Sequence, residues 1–408
     1  MAVSLLAHEV SDVCLGKPAL RSLPVSATVG DAVSVLKRSG ESFVSVWSCD
    51  HAFKATKIGL IAANNFEEEE EKDCRCIGKV CMVDVLYFLC NEENLSRPSF
   101  ALQSPVSVLL SESPPGLVRH LEPTASLREA IDLILKGAQN LVVPIQTPTA
   151  LSTSRKKLLI KPPSPDATLT LHGGCRQYCW LTQEDLIRFL LNSIGIFSPT
   201  PALSLQSLDI IDTHNLLAVH YHDPASAALP AIARSLVDQT SVAVVDDDGK
   251  LIGEISPLTL AGCDETVAAA VATLSAGDLM SYIDCGGPPE DLVQAVKARL
   301  EERNLGAVIE LMEEDQSLSS VSSLSSCSSS DEEFGLGKGI RARSGRHSNR
   351  MVRKSEAVAC YPGSSLVAVM IQALAHRVNY VWVVEEDYSL AGIVTFYGML
   401  KIFRQHVR

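Results

Sequence analysis

A unit of about forty residues recurs four times in this chain, and the repeat limits its fold more than any single motif does. The opening halves read "PTASLREAIDLILKGAQNLVVPI" (123–145), "PASAALPAIARSLVDQTSVAVV" (224–245) and "PGSSLVAVMIQALAHRVNYVWVV" (362–384). The step from the leading proline to the polar residue before the apolar run is 17 positions each time: Pro123 to Asn140, Pro224 to Ser241, Pro362 to Asn379. A further copy, "VSATVGDAVSVLKRSGESFVSVW" (25–47), has no proline but keeps the 17-residue step from Val25 to Ser42.

Each opening half predicts a turn, an amphipathic helix and a strand. Leu127, Ile131, Ile134 and Leu135 make the helical stripe in one copy, and Leu366, Val369, Met370 and Leu374 in another, at the 3–4 residue spacing of one helix face. The runs "VAVV" and "VWVV" are apolar throughout, as in a strand covered on both faces. Acidic turns, "DDDGK" (246–250) and "EEDYS" (385–389), then lead into "LIGEIS" and "LAGIVT" and a second helix. In the other two copies the hairpin is stretched across 48–76 and 146–177, and the chain returns as "CIGKVCMVDVLYFL" and "YCWLTQEDLIRFLL".

On this spacing, and on the "IGxxS" and "AGIVT" strand ends, the unit resembles the CBS domain. The chain as a whole is similar to the plant proteins made only of CBS domains, and in layout to the gamma regulatory subunit of SNF1/AMP-activated kinases. The resemblance covers 12–260 and 355–406. It implies an α/β fold of tandem β-α-β-β-α repeats, paired sheet to sheet into two Bateman modules over 12–200 and 201–408. The expected divisions are repeats at 12–95, 100–197, 203–262 and 355–406. Residues 263–316 are expected to hold connecting helices and a half-repeat, in which 288–315 reads as a helix followed by a strand that is either a displaced part of repeat four or an extra hairpin. A disordered loop is expected over 317–354, with ten serines in 317–330 and seven Lys and Arg between Lys338 and Lys354; such composition cannot bury enough apolar surface to order itself.

In the family, a Ser or Thr at the start of the closing helix and an Asp three residues on contact an adenosine nucleotide, AMP, ADP, ATP or S-adenosylmethionine. A helix N-terminus offers free N–H groups to phosphate, and the carboxylate can accept ribose hydroxyls. Carried over, Thr182 and Asp185 match in full, although Cys179 replaces a strand glycine. Asp84 is kept behind Gly78, but Cys81 stands at the hydroxyl position. Thr259 follows Ser256, and Gly398 follows Thr395, where the Asp is wanted. Val143, Pro144 and Ile145, with "FVSV" in the first copy, would supply apolar walls for adenine. The other reading of Thr-x-x-Asp is a capping box, and of the apolar runs a plain sheet core.

No cofactor is required by any motif. "HGGCRQYC" and "CRC" lack the four spaced ligands of a zinc site, so no metal is expected. A P-loop, a nucleophile elbow and a kinase set are all missing, and the chain is read as not an enzyme. The net charge of −13 excludes a general nucleic-acid surface, and no apolar run reaches membrane-spanning length. The opening residues carry neither the basic region of a signal peptide nor the arginines of a transit peptide. Twelve scattered cysteines fit reduced thiols in the cytoplasm, with the nucleus open as well. Two readings remain: a regulator that senses adenosine nucleotides in its first module and modulates a protein partner, a kinase or a metabolic or redox enzyme; or an interaction scaffold with degenerate sites, controlled by phosphorylation of the serine tract near Ser328–Ser330. A homodimer is left open.

Overall fold

Residues 5–48, 75–110, 114, 116–145, 177–284, 288–313 and 356–406 are described by a computed structural model. The first repeat runs from β1 (Ser22–Pro24) through α2 (Val29–Ser39), β2 (Val44–Trp47) and β3 (Cys76–Val80) to α3 (Met82–Leu89), with helix α1 (Val10–Cys14) ahead of it. The second comprises β4 (Val118–His120), α4 (Leu127–Leu135), β5 (Asn140–Ile145), β6 (Gln177–Thr182) and α5 (Gln183–Asn192). The third comprises β7 (Ala218–His220), α6 (Leu229–Asp238), β8 (Val242–Val245), β9 (Leu251–Ile255) and α7 (Pro257–Leu260). Helices α8 (Val267–Thr273), α9 (Ala276–Tyr282) and α10 (Glu290–Glu302) connect it to the fourth: β10 (Ala359–Cys360), α11 (Leu366–His376), β11 (Tyr380–Val384), β12 (Leu390–Thr395) and α12 (Phe396–His406).

Each repeat makes a three-stranded sheet in chain order. The helical crossover sets the first two strands parallel, as in Ser22↔Ser45, and the hairpin sets the last two antiparallel, as in Val44↔Val80. The central strands are buried at every position in β2, β8 and β11, which is why β8 and β11 read as unbroken apolar runs; in β2 the buried Ser45 interrupts the run. Hydroxyl caps start three of the four opening helices: Thr28 accepts from the Asp31 amide, Ser126 from Glu129 and Ser365 from Ala368. The pairing of the step residue differs between copies: Asn140 lies opposite Thr182 in repeat two, whereas in repeat four Tyr380, not Asn379, lies opposite Thr395.

The sheets pair within modules, and the helices pack between modules. Leu20, Trp47, Cys76 and Val142 form a small core between the sheets of repeats one and two. Repeats one and three share one large helix-lined core; repeats two and four share the other. The segment ahead of each repeat is exchanged as well. Val10 N donates to Ala125 O and Leu127 N to His8 O, so residues 5–14 complete repeat two (2.8 and 2.9 Å). Val29 N to Ser104 O (2.8 Å) and Val106 N to Ala27 O (2.7 Å) fix residues 104–106 on repeat one. Leu205 N to Ser364 O and Leu366 N to Leu203 O, both 3.0 Å, place residues 203–205 on repeat four, although the sequence counts them with repeat three.

One expectation is overturned. Residues 288–315 were expected to end in a strand, but α10 is followed by a second helix over 306–313. Leu305, Val308, Ile309 and Met312 recur at helical spacing, and the buried Val308 and Met312 pack into the core of repeats one and three. Arg299 of α10 and Arg303, the residue that follows it, donate to the carbonyls of Thr273 and Ala272 at the end of α8 (2.6 and 2.7 Å). The serine-rich and basic loop, 317–354, lies outside the described residues, as does most of both hairpin insertions.

Candidate functional site

The four repeats meet around a cavity of about 210 Å³. Repeat one contributes Phe43, Lys79 and Cys81, and repeat two Asn140, Thr182 and Glu184. Repeat three brings Ser235, Gln239 and Ser256, and repeat four Arg377, Asn379 and Tyr380. The ends of the opening helices α6 and α11 and the first residues of the closing helices of repeats one, two and three therefore converge on one point. Side-chain amides tie the ring together: Gln139 Nε2 donates to Leu236 O (3.1 Å), Gln239 Nε2 to Gln139 O (3.4 Å), and Asn379 Nδ2 to Gln239 Oε1 (3.2 Å).

Lys79 is the cation at the wall. Its ammonium donates to Asn140 Oδ1 at 2.6 Å and stands 4.2 Å from the centre of the Phe43 ring. Burial lowers its pKa to about 8, against the opposing pull of Cys81 and Asp84. Arg377 lines the cavity from the left-handed residue that ends α11 (φ 55°). Glu184, the acid on the wall, is ion-paired to Arg188 one turn along α5. The cavity thus presents two cations and one neutralised acid, a setting for a small anion.

Cys81 and Thr182 line this cavity. The acids behind them serve their own helix starts. Asp185 accepts from Thr182 N (2.8 Å) and Thr182 Oγ1 (2.7 Å), its amide donates back to Thr182 Oγ1 (3.3 Å), and its carboxylate also takes the Lys17 ammonium. Asp84 accepts from Cys81 N at 2.7 Å, and burial raises its pKa. The pair matched by sequence is therefore a closed capping box with its charge already met. Val143, Pro144 and Ile145 run along β5 away from the cavity; Val143 is buried in the core of repeats two and four. Phe43 is the member of the apolar pair that does reach it.

Lys79, Arg377 and the amide ring escaped the sequence reading. Lys79 could have been found by laying the four returning strands on one another, since it occupies the place of Trp180, Glu254 and Ile393. At Glu254 the result is opposite in sign. That carboxylate is 3% exposed and accepts from Tyr380 Oη and Trp382 Nε1, both at 2.7 Å. Among the described residues no group of His, Cys, Asp and Glu could hold a metal ion; Cys74, His172 and Cys175 lie outside them. None of the described helices is long and apolar enough to cross a membrane.

Over 99% of its length the chain is 50% identical to CBS domain-containing protein CBSX5 of Arabidopsis thaliana, covering 98% of that protein. The chain belongs to the CBS domain-containing proteins. A model of the CBS domain matches residues 209–261. CBSX6 of the same plant is 27% identical (97% of this chain, 93% of that protein), and the SNF1-related protein kinase regulatory subunit gamma-like PV42b is 22% identical (98% and 95%). Among solved structures, protein MJ1225 from Methanocaldococcus jannaschii, proposed to be an archaeal homolog of g-AMPK, shares the fold at a TM-score of 0.51 and 14% identity. The match covers 97% of this chain and all of that one. The CBS repeats of this chain thus stand in two Bateman modules, joined through their helices.

Proposed function

We propose that this CBS-domain chain is a non-catalytic regulator that takes the phosphate end of an adenosine nucleotide in the central cavity and thereby changes its grip on a protein partner. The observation that carries the reading is the convergence of Lys79 and Arg377 on a cavity whose acid, Glu184, is already paired. A lysine kept at such a wall, where burial already lowers its pKa, gains most from an anion beside it. The kinship to a kinase gamma-like subunit makes a kinase the first partner to try. A ligand acts on a partner only through different affinities for two states, so binding must be measurable.

Titration calorimetry with AMP, ADP, ATP and S-adenosylmethionine tests this. The phosphorylated nucleotides should bind, S-adenosylmethionine should not, and Lys79→Met and Arg377→Ala should each weaken binding about tenfold, the loss of roughly one charge-assisted hydrogen bond. Absence of heat for all four ligands overturns it. The closed Thr182–Asp185–Lys17 network favours the second reading, an interaction scaffold whose family sites have become structural and whose serine tract carries the control. Phosphate mapping on protein from its native cells, with partner capture by wild type and Ser→Asp variants of 328–330, separates the two.

A further inference from the structure

Two hydrogen bonds of different chemistry join the sheets of repeats one and two. One is backbone to backbone: Leu20 N, ahead of β1, donates to Tyr178 O of β6 at 2.8 Å. The other ends on a side chain. Cys76, the first residue of β3, is 2% exposed, and its backbone N–H donates to Nε2 of His120, the last residue of β4, at 3.0 Å. A buried backbone N–H needs an acceptor, and here an imidazole nitrogen of the neighbouring repeat supplies it.

Neighbouring rings hold that imidazole in place. Trp47 of β2 is fully buried and meets it edge to face, with centroids 5.7 Å apart and planes at 84°. Tyr178 of β6 meets it at 6.1 Å and 85°, and the Trp47 and Tyr178 rings are themselves 4.8 Å apart. The cluster sits at the small core of Leu20, Trp47, Cys76 and Val142 between the two sheets. A ring nitrogen that accepts carries its lone pair, so the proton of the neutral imidazole is on Nδ1. His120 is exposed, and protons reach it from solvent. Among the described residues, the titratable and charged groups that face it are Arg75 and Cys76 at the start of β3 and Tyr178 of β6; β2 brings Trp47, which is uncharged, and Arg119 and Glu122 flank it on its own segment. Burial holds the His120 pKa below the usual histidine range and Arg75 acts the same way, while the bond from Cys76 and the charge of Glu122 oppose.

We propose that His120 is a pH-sensitive clasp between repeats one and two: the neutral imidazole closes the seam by accepting from the Cys76 amide, and the imidazolium opens it. Protonation places an N–H on Nε2. Two donors then face each other, and the buried amide at the start of β3 loses this acceptor. The folded pKa is depressed, so the contribution of the bond is complete above the unfolded value of about 6.5 and is lost as pH falls through the folded one. The strands that part are β3 and β4, which lie side by side at the seam. Neither His120 nor Cys76 lines the central cavity, so the clasp works whether or not a nucleotide binds there.

The test is hydrogen–deuterium exchange on the full-length chain, read by mass spectrometry at about pH 7.5 and about pH 5.5, on either side of the ordinary histidine value. After correction for intrinsic exchange rates, protection over β3 (Cys76–Val80) should fall about tenfold between the two, the loss of roughly one buried hydrogen bond. Protection over α10 (Glu290–Glu302), which belongs to neither sheet, should stay as it was. His120→Gln, whose side-chain carbonyl can still accept but does not titrate, should keep the protection at the lower pH. His120→Phe should lack it at both. Because the wild-type chain carries the first measurement, a poorly folding variant does not block it. Equal protection of β3 at the two pH values in the wild type overturns the proposal. So does a fall of the same size in His120→Gln, which would assign the titration to another group.

Discussion

Arg404 of the last helix and Asp132 of α4 are joined by two parallel bonds, Nε to Oδ1 at 2.6 Å and Nη2 to Oδ2 at 3.1 Å, across the boundary between the two modules. Both side chains are partly covered, and the arginine holds the Asp132 carboxyl below the usual carboxylate range, chiefly by its hydrogen bond. Fork-to-fork geometry of this kind adds orientation as well as attraction. Arg404→Ala, Asp132→Ala and the double variant should give a coupling of about 1 kcal/mol by denaturant unfolding, toward the upper end for partly exposed pairs. The folded pKa of Asp132 is depressed, so its contribution is present above the unfolded value and is lost as pH falls through the folded one. The coupling should therefore begin to fall below about pH 4 and be lost only at still lower pH, once the folded carboxylate is protonated.

Glu254 holds the second module's sheets together by accepting from Tyr380 and Trp382 across them. Glu254→Ala should cost about 2–4 kcal/mol, because two buried donors lose their acceptor. Glu254→Gln should cost less, since its oxygen keeps one of them. Chemical unfolding followed by tryptophan emission checks both, and Trp382 should report a changed environment in the folded Glu254→Ala chain. An unchanged midpoint would reduce the carboxylate to a spectator.

Burial sets the Lys79 pKa near 8, below its unfolded value. From about pH 8 to pH 10.4 the unfolded chain then binds more protons at this residue than the folded one, so stability should rise with pH across that window. Lys79→Met removes the titrating group. Measured side by side, wild type should gain on Lys79→Met between pH 8 and 10, while at pH 7 the variant should be at least as stable. A difference independent of pH would mean that the ammonium is well solvated.

The capping box of α5 should behave as structure whether or not ligand is present. Thr182→Ala should cost about 1 kcal/mol, the usual worth of an N-cap hydroxyl. Asp185→Ala should cost more, since it also releases Lys17. Thr28→Ala in the equivalent box of α2 is the control, with the same size of loss expected far from the cavity. If nucleotide affinity falls much further with Asp185→Ala than with the Thr28 control, the acid contacts ligand after all.

The sequence alone determined the unit and its number. Apolar spacing such as Leu127–Ile131–Ile134 and runs such as "VAVV" are local signals, because one helix face or one covered strand writes them into neighbouring residues. They gave the α/β repeat, the hairpins and the position of each closing helix. The same locality explains the misreading at 305–312, where a short apolar run fits a strand as well as a helix until the core it packs on is known. Only the tertiary structure decided which repeats share a core, because Val10 pairs with Ala125 and Leu205 with Ser364 over separations that no period records. It also decided the site. Thr182 and Asp185 spell a family contact in sequence, but Lys17, 168 residues from Asp185 along the chain, closes that contact. Lys79 and Arg377, 298 positions apart (377 − 79), meet at the cavity wall because three closing-helix starts and the end of α11 converge there. Charge and chemistry at that point depend on distance in space, and the folded chain alone sets it.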